Sequence, residues 1–221
     1  MAVTRPGLGP TLPALLRERF GTPPVVTLVV AGVVAAAAVV AILVALTRPP
    51  SPGEQVVHED PPVFNLLYPP GAMHEVEPAA GELLRLEGRK AGLEVSVVVH
   101  PLELPRFDGD VTHGQLPIHA DRFVAAEKRR MPGLVLVQEG RARVNNAVGY
   151  EVGYARTSAA ERFTGRDVLL VPDDPEEGRG TVLLSLRTRK GSGKKLTPPE
   201  RGLAYTARKT YRSFRFGTER G

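Results

Sequence analysis

"GELLRLEGRKAGLEVSVVVHP", residues 81–101, is the stretch on which the fold turns. It reads as two strands around a Gly/Lys turn. Leu93, Val95 and Val97 alternate with polar neighbours, and the run Val97-Val98-Val99 then becomes wholly apolar. Alternation at period two is the signature of a strand, and the turn residues between two such runs make them a hairpin. Upstream, "VFNLLYPPG" (63–71) is a short strand closed by a Pro-Pro-Gly turn. Downstream, 101–117 is a loop rich in proline and glycine, followed by a helix in "PIHADRFVAAEKRRMPG" (117–133). Pro117 precedes its first turn, Ala120, Phe123, Val124 and Glu127 keep helical spacing, and Met131-Pro132-Gly133 stops it.

The same reading continues to the end of the chain. "LVLVQEGRARV" and "AVGYEVGYART" are strands joined across Asn145-Asn146, and "RDVLLVP" and "GTVLLSLRT" pair across the polar turn "DDPEEGR". In "PPERGLAYTARKTYRSF" (198–214), Leu203, Ala207, Thr210/Tyr211 and Phe214 line one helical face. The fold class is therefore α+β: an antiparallel β-sheet packed with two or more helices over residues 63–217, with 218–221 a tail.

Before this domain, residues 25–46 form 22 uncharged, mostly apolar residues. As a helix they span about 33 Å, near the roughly 30 Å of a bilayer core. A cleaved signal would be shorter and end in an Ala-x-Ala-like site, whereas this block ends Val44-Ala45-Leu46-Thr47-Arg48. It is read as a retained, single-pass signal-anchor whose partner is the lipid bilayer. Arg5, Arg17 and Arg19 precede it, and Glu54, Glu59 and Asp60 follow. The positive-inside rule then makes 1–24 a short cytoplasmic segment of a plasma-membrane protein and places the C-terminal domain extracytoplasmically. Residues 47–62 read as a Pro-rich linker. Rows of small residues in the span, Ala31/Ala35, Gly32/Ala36 and Ala37/Ala41/Ala45, could support a dimerising scaffold, but with no Gly-xxx-Gly an alanine-rich composition is the simpler account.

These features resemble the PsbP-like (LpqN-type) domains of extracytoplasmic actinobacterial membrane-anchored proteins. The matching residues are the opening strand closed by Tyr68-Pro69-Pro70-Gly71, the strand pair around "RVNNAVGYEVGY", the strand ending "LLSLRT", and a final helix closing on Ser213-Phe214. Two departures stand out: Ala72-Met73 replaces an aromatic, and an apolar span replaces a lipidated cysteine, since the chain has no cysteine. The resemblance implies an antiparallel sheet flanked by helices and a binding or accessory module rather than an enzyme.

The sequence carries no cofactor motif. Gly193-Lys194 invites a phosphate-loop reading, but Thr188 and Lys195 stand where glycine and Ser/Thr are required. His113, His119 and Asp121 gather near the start of the mid-chain helix and are the place to look for an envelope enzyme's site, although their spacing is not that of a metal site. Charge is more telling. Between 178 and 221 twelve Lys/Arg face only Glu200 and Glu219, while 48–177 hold 14 Lys/Arg against 21 Asp/Glu. The candidate binding patch is Lys190, Lys194, Lys195, Arg208, Lys209 and Arg212. Its partners would be an envelope protein complex, anionic lipid or an acidic cell-wall polymer. Nucleic acid is not expected, because no aromatics are interleaved with the basic run.

Overall fold

A computed structural model describes residues 53–105, 111–172, 180–191 and 195–218. The hairpin read first lies within the larger sheet. β3 (His74–Val76), β4 (Leu84–Lys90), β5 (Leu93–Leu102), β6 (Val135–Val144), β7 (Ala147–Thr157), β8 (Glu161–Val171) and β9 (Thr181–Gly191) form seven antiparallel strands in the order β3-β4-β5-β9-β8-β7-β6. β4 turns into β5 at Ala91 and Gly92, whose φ values of 48° and 95° give the left-handed twist a two-residue hairpin loop needs. β6 turns into β7 through Asn145, at φ 49°.

A second, three-stranded sheet runs β1 (Glu54–His58), β2 (Phe64–Tyr68) and β10 (Arg215–Phe216), with β2 in the middle. β1 corrects the expectation of a linker over 47–62. Residues 47–52 lie outside the described residues, but Gln55-Val56-Val57 pairs residue for residue with Asn65-Leu66-Leu67. β3 and β10 were not expected either; both are short, and neither has an alternating pattern long enough to read.

Two helices cover the larger sheet on opposite faces. α1 (Leu116–Arg130), entered through a π-helical turn at Val111–Gln115, seats Leu116, Ala120 and Val124 against Val152 and Leu169. α2 (Pro198–Arg212) seats Leu203, Ala207 and Tyr211 against the other face, where Leu84, Leu86, Val97, Val99, Val182, Leu184, Val168 and Leu170 form the main core with Phe64, Leu66 and Phe214. Neighbouring residues such as Val168 and Leu169 belong to different cores, as the pleat requires. Among the described residues no helix is long and apolar enough to cross a membrane. The span read over 25–46 lies outside the described residues.

Candidate functional site

The N-terminus of α2 fixes the first part of the site. Pro198 and Pro199 fill the two opening positions, where a missing N–H costs nothing. Three residues into the helix, Glu200 turns back and accepts the Thr197 backbone N–H at 2.7 Å and the Thr197 hydroxyl at 2.9 Å. The same carboxylate oxygen takes the Lys190 ammonium from β9. The Lys190 bond, with the Thr197 N–H second, holds the Glu200 carboxyl down to about 2. Lys190 is thus a correction to the patch. Its side chain is only 11% exposed and is committed to joining β9 to the helix.

Beyond this pair, α2 presents a second stripe. Ala204, Arg208 and Arg212 recur every four residues, beside the stripe that is buried, and so face along the sheet rather than into it. They form one wall of a groove of about 640 Å³. Its floor is apolar and low, from Leu93, Leu186, Gly153 and Ala155. Its other wall is β8, where Arg162, Thr164 and Arg166 share one face at period two. Lys195 and Leu196 close the end near the start of the helix, and Val137 stands on the β6 side.

The cations of this groove differ in what holds them. Arg166 pairs with Glu151 at 3.1 Å and reaches Gln138 at 3.4 Å. Arg162, Lys195, Arg208 and Arg212 are exposed and have no carboxylate within ion-pairing distance among the described residues. Four unneutralised cations over an apolar floor make a site for a negatively charged group with an apolar body attached.

Of the six patch residues, the structure brings Lys190, Lys195, Arg208 and Arg212 to this groove. Lys209 does not line it: its ammonium sits 4.9 Å from the centre of the exposed Tyr205 ring. Lys194 lies outside the described residues. Arg162 and Arg166 were missed by the sequence reading, because the basic count was concentrated after residue 178 and these come from β8, brought alongside β9 by register. Their signal was present as Arg-x-Thr-x-Arg on one strand face.

The other candidate set behaves differently. His113 lies on the π-helical turn and its Nε2 accepts from Arg141 at 2.7 Å. His119 is half-buried on α1 and Asp121 is exposed one turn from the helix start. Neither the groove nor the cavity on the opposite face is lined by any of the three. Among the described residues no group of three or more His, Cys, Asp or Glu could hold a metal ion.

Comparison with known proteins gives likenesses of structure. The chain is similar to cyanobacterial PsbP (CyanoP) of Synechocystis sp. PCC 6803, at 11% identity and TM-score 0.48 over 77% of this chain and 96% of that one. It is similar to LpqN of Mycobacterium tuberculosis, described as involved in cell envelope biogenesis, at 13% identity and TM-score 0.44 over 73% and 89%. A Bacteroides thetaiotaomicron VPI-5482 protein is similar at 11% identity and TM-score 0.39 over 76% of this chain, which spans 49% of that protein. No family model and no curated protein matches the chain. At these identities nothing about ligand or activity transfers.

Proposed function

We propose that residues 54–217 are a non-catalytic binding module that takes up an anionic group in the groove between α2 and β8. The observation that carries this is the set of cations with no carboxylate partner among the described residues, Arg162, Lys195, Arg208 and Arg212, around an apolar floor. The apolar block 25–46 supports a module tethered to a membrane, with the domain on the outer side as an accessory part of an envelope assembly. Its ligand is then an anionic lipid headgroup, an acidic cell-wall polymer or an acidic face of a partner protein, each offering oxyanions to guanidinium forks.

The test is recruitment. The full chain is compared with a triple variant, Arg162→Ala, Arg208→Ala and Arg212→Ala, on vesicles containing phosphatidylglycerol and by in-membrane crosslinking to envelope proteins. Each cation near an anionic surface contributes about 1 kcal/mol, so loss of three should weaken recruitment on the order of a hundredfold. Unchanged vesicle binding together with an unchanged crosslinking pattern would sink the proposal.

A further inference from the structure

The α1 side of the larger sheet holds a second cavity, of about 750 Å³, which the groove reading does not use. α1 packs chiefly over β7 and β6, and the cavity opens over the sheet beyond its C-terminus, beside Arg130 and Met131. Five arginines line the cavity: Arg85, Arg89, Arg130, Arg187 and Arg189. Four are already engaged. Arg85 bonds Glu82 and, at 2.9 Å, Glu87; Arg89 pairs with Glu94 at 2.6 Å; Arg130 with Glu127 at 2.5 Å; Arg189 with Glu161 at 3.3 Å.

Arg187 is the exception. Among the described residues no carboxylate lies within ion-pairing distance of it. It is half-buried, and its Nε is buried with no acceptor. The acid that acts on it from further off is Asp167, fully buried on the neighbouring strand β8 and accepting the Tyr154 hydroxyl at 2.6 Å. Burial raises the Asp167 carboxyl above the usual range, and the Arg187 charge works against that rise. A half-buried guanidinium whose Nε has no acceptor is costly, and a bidentate oxyanion is the group that satisfies it best.

We propose that this cavity binds a small molecule through one oxyanion, a carboxylate or a phosphate, held on the Arg187 fork. The ligand carries a single such group, because the other four arginines of the lining are already committed to glutamates. Its remainder is apolar and packs on Phe163 and Met131, with Ser96 offering a hydroxyl. The volume lies within the range of small-molecule sites, about 300–1,000 Å³. This site is on the opposite sheet face from the groove and goes beyond that reading.

Isothermal titration of the full chain with hexanoate, and in a second arm with inorganic phosphate, tests it and separates the two sources of oxyanion. The expected result is saturable binding of at least one probe. Arg187→Ala should weaken it at least about tenfold, as should Arg187→Lys, which keeps the charge and removes the fork. Ser96→Trp should block it by filling the cavity, and the pair Arg208→Ala, Arg212→Ala should leave it within about twofold. Should Arg187→Ala fail to fold, Arg187→Lys and Ser96→Trp carry the test, with circular dichroism as the check on folding. The proposal is overturned if neither probe binds, if binding ignores Arg187→Lys and Ser96→Trp, or if it is lost with the two groove variants, which would assign the anion to the groove instead.

Discussion

The two faces of the larger sheet are both rich in cations, yet they hold them in opposite ways. On the α1 face, glutamates stand beside the arginines; Arg89 and Glu94 are direct cross-strand partners, and Arg85 lies between Glu82 and Glu87. On the α2 face, Arg162, Arg208 and Arg212 look into a groove with no carboxylate in ion-pairing distance among the described residues, while Lys190 and Arg166 are tied down. Counting charges along the chain puts the positive excess after residue 178. Position within the sheet decides which of those charges face outward unneutralised. A paired arginine orders a surface, whereas an unpaired one leaves a field for a ligand.

The largest way to break this contrast is to remove the wall of the groove. Leu203→Ala empties a position that is 5% exposed in the main core under α2. The expected loss is about 2–5 kcal/mol in urea unfolding. It should abolish anion uptake in the groove as the helix loosens.

A smaller effect follows from Glu200→Gln, which removes the acid that Lys190 needs and weakens the cap of α2. The melting temperature should fall at pH 7. The pH dependence gives a sharper readout. The Glu200 carboxyl is held at about 2, below its ordinary 4.5, so its contribution is fully present above about 4.5 and is lost as pH falls through about 2. Thermal melts of the wild type should therefore decline across that window, and those of Glu200→Gln should decline less. An equal slope in the two proteins would remove Glu200 from its anchoring role.

The smallest effect belongs to Arg89→Ala on the other face. Its partner Glu94 is 43% exposed and Arg89 itself is 76% exposed. Loss of such a pair costs at most about 1 kcal/mol. A larger loss by the same melts would mean that the α1 face depends on its ion pairs for stability and not only for order.

Much of the architecture was legible. The strands flanking Ala91-Gly92 and Asn145-Asn146, and the helices at 116–130 and 198–212, follow from periodicity and turn residues that sit next to one another in sequence. What was hidden depends on distant neighbours. β1 is short and fenced by prolines, and only pairing with β2 makes it a strand. Lys190 looked like a free cation because its acid lies ten residues on, across a turn; Thr197-x-x-Glu200 was the available clue that this acid points back toward the start of the helix. Gly165 is another case. A side chain there would place its Cβ 2.3 Å from Tyr154 Cε2, so glycine is what lets the aromatic lie across the neighbouring strand and reach Asp167. Sequence shows the glycine and the tyrosine, and only register brings them together.

β10 has a consequence for how the domain is made. Arg215 and Phe216 pair with Asn65 and Phe64, Gly217 donates to Val63 O at 2.9 Å, and Asn65 Nδ2 donates to Gly217 O at 2.7 Å. The middle strand of the small sheet is therefore synthesised early and completed by residues some 150 positions later. Until Phe216 has left the ribosome, β2 has one bare edge and Phe64 lacks the Phe214 ring, 5.5 Å away, that stacks on it. A chain stopped before residue 213 would carry both helices and the whole larger sheet, and would still keep this seam open to chaperones and proteases.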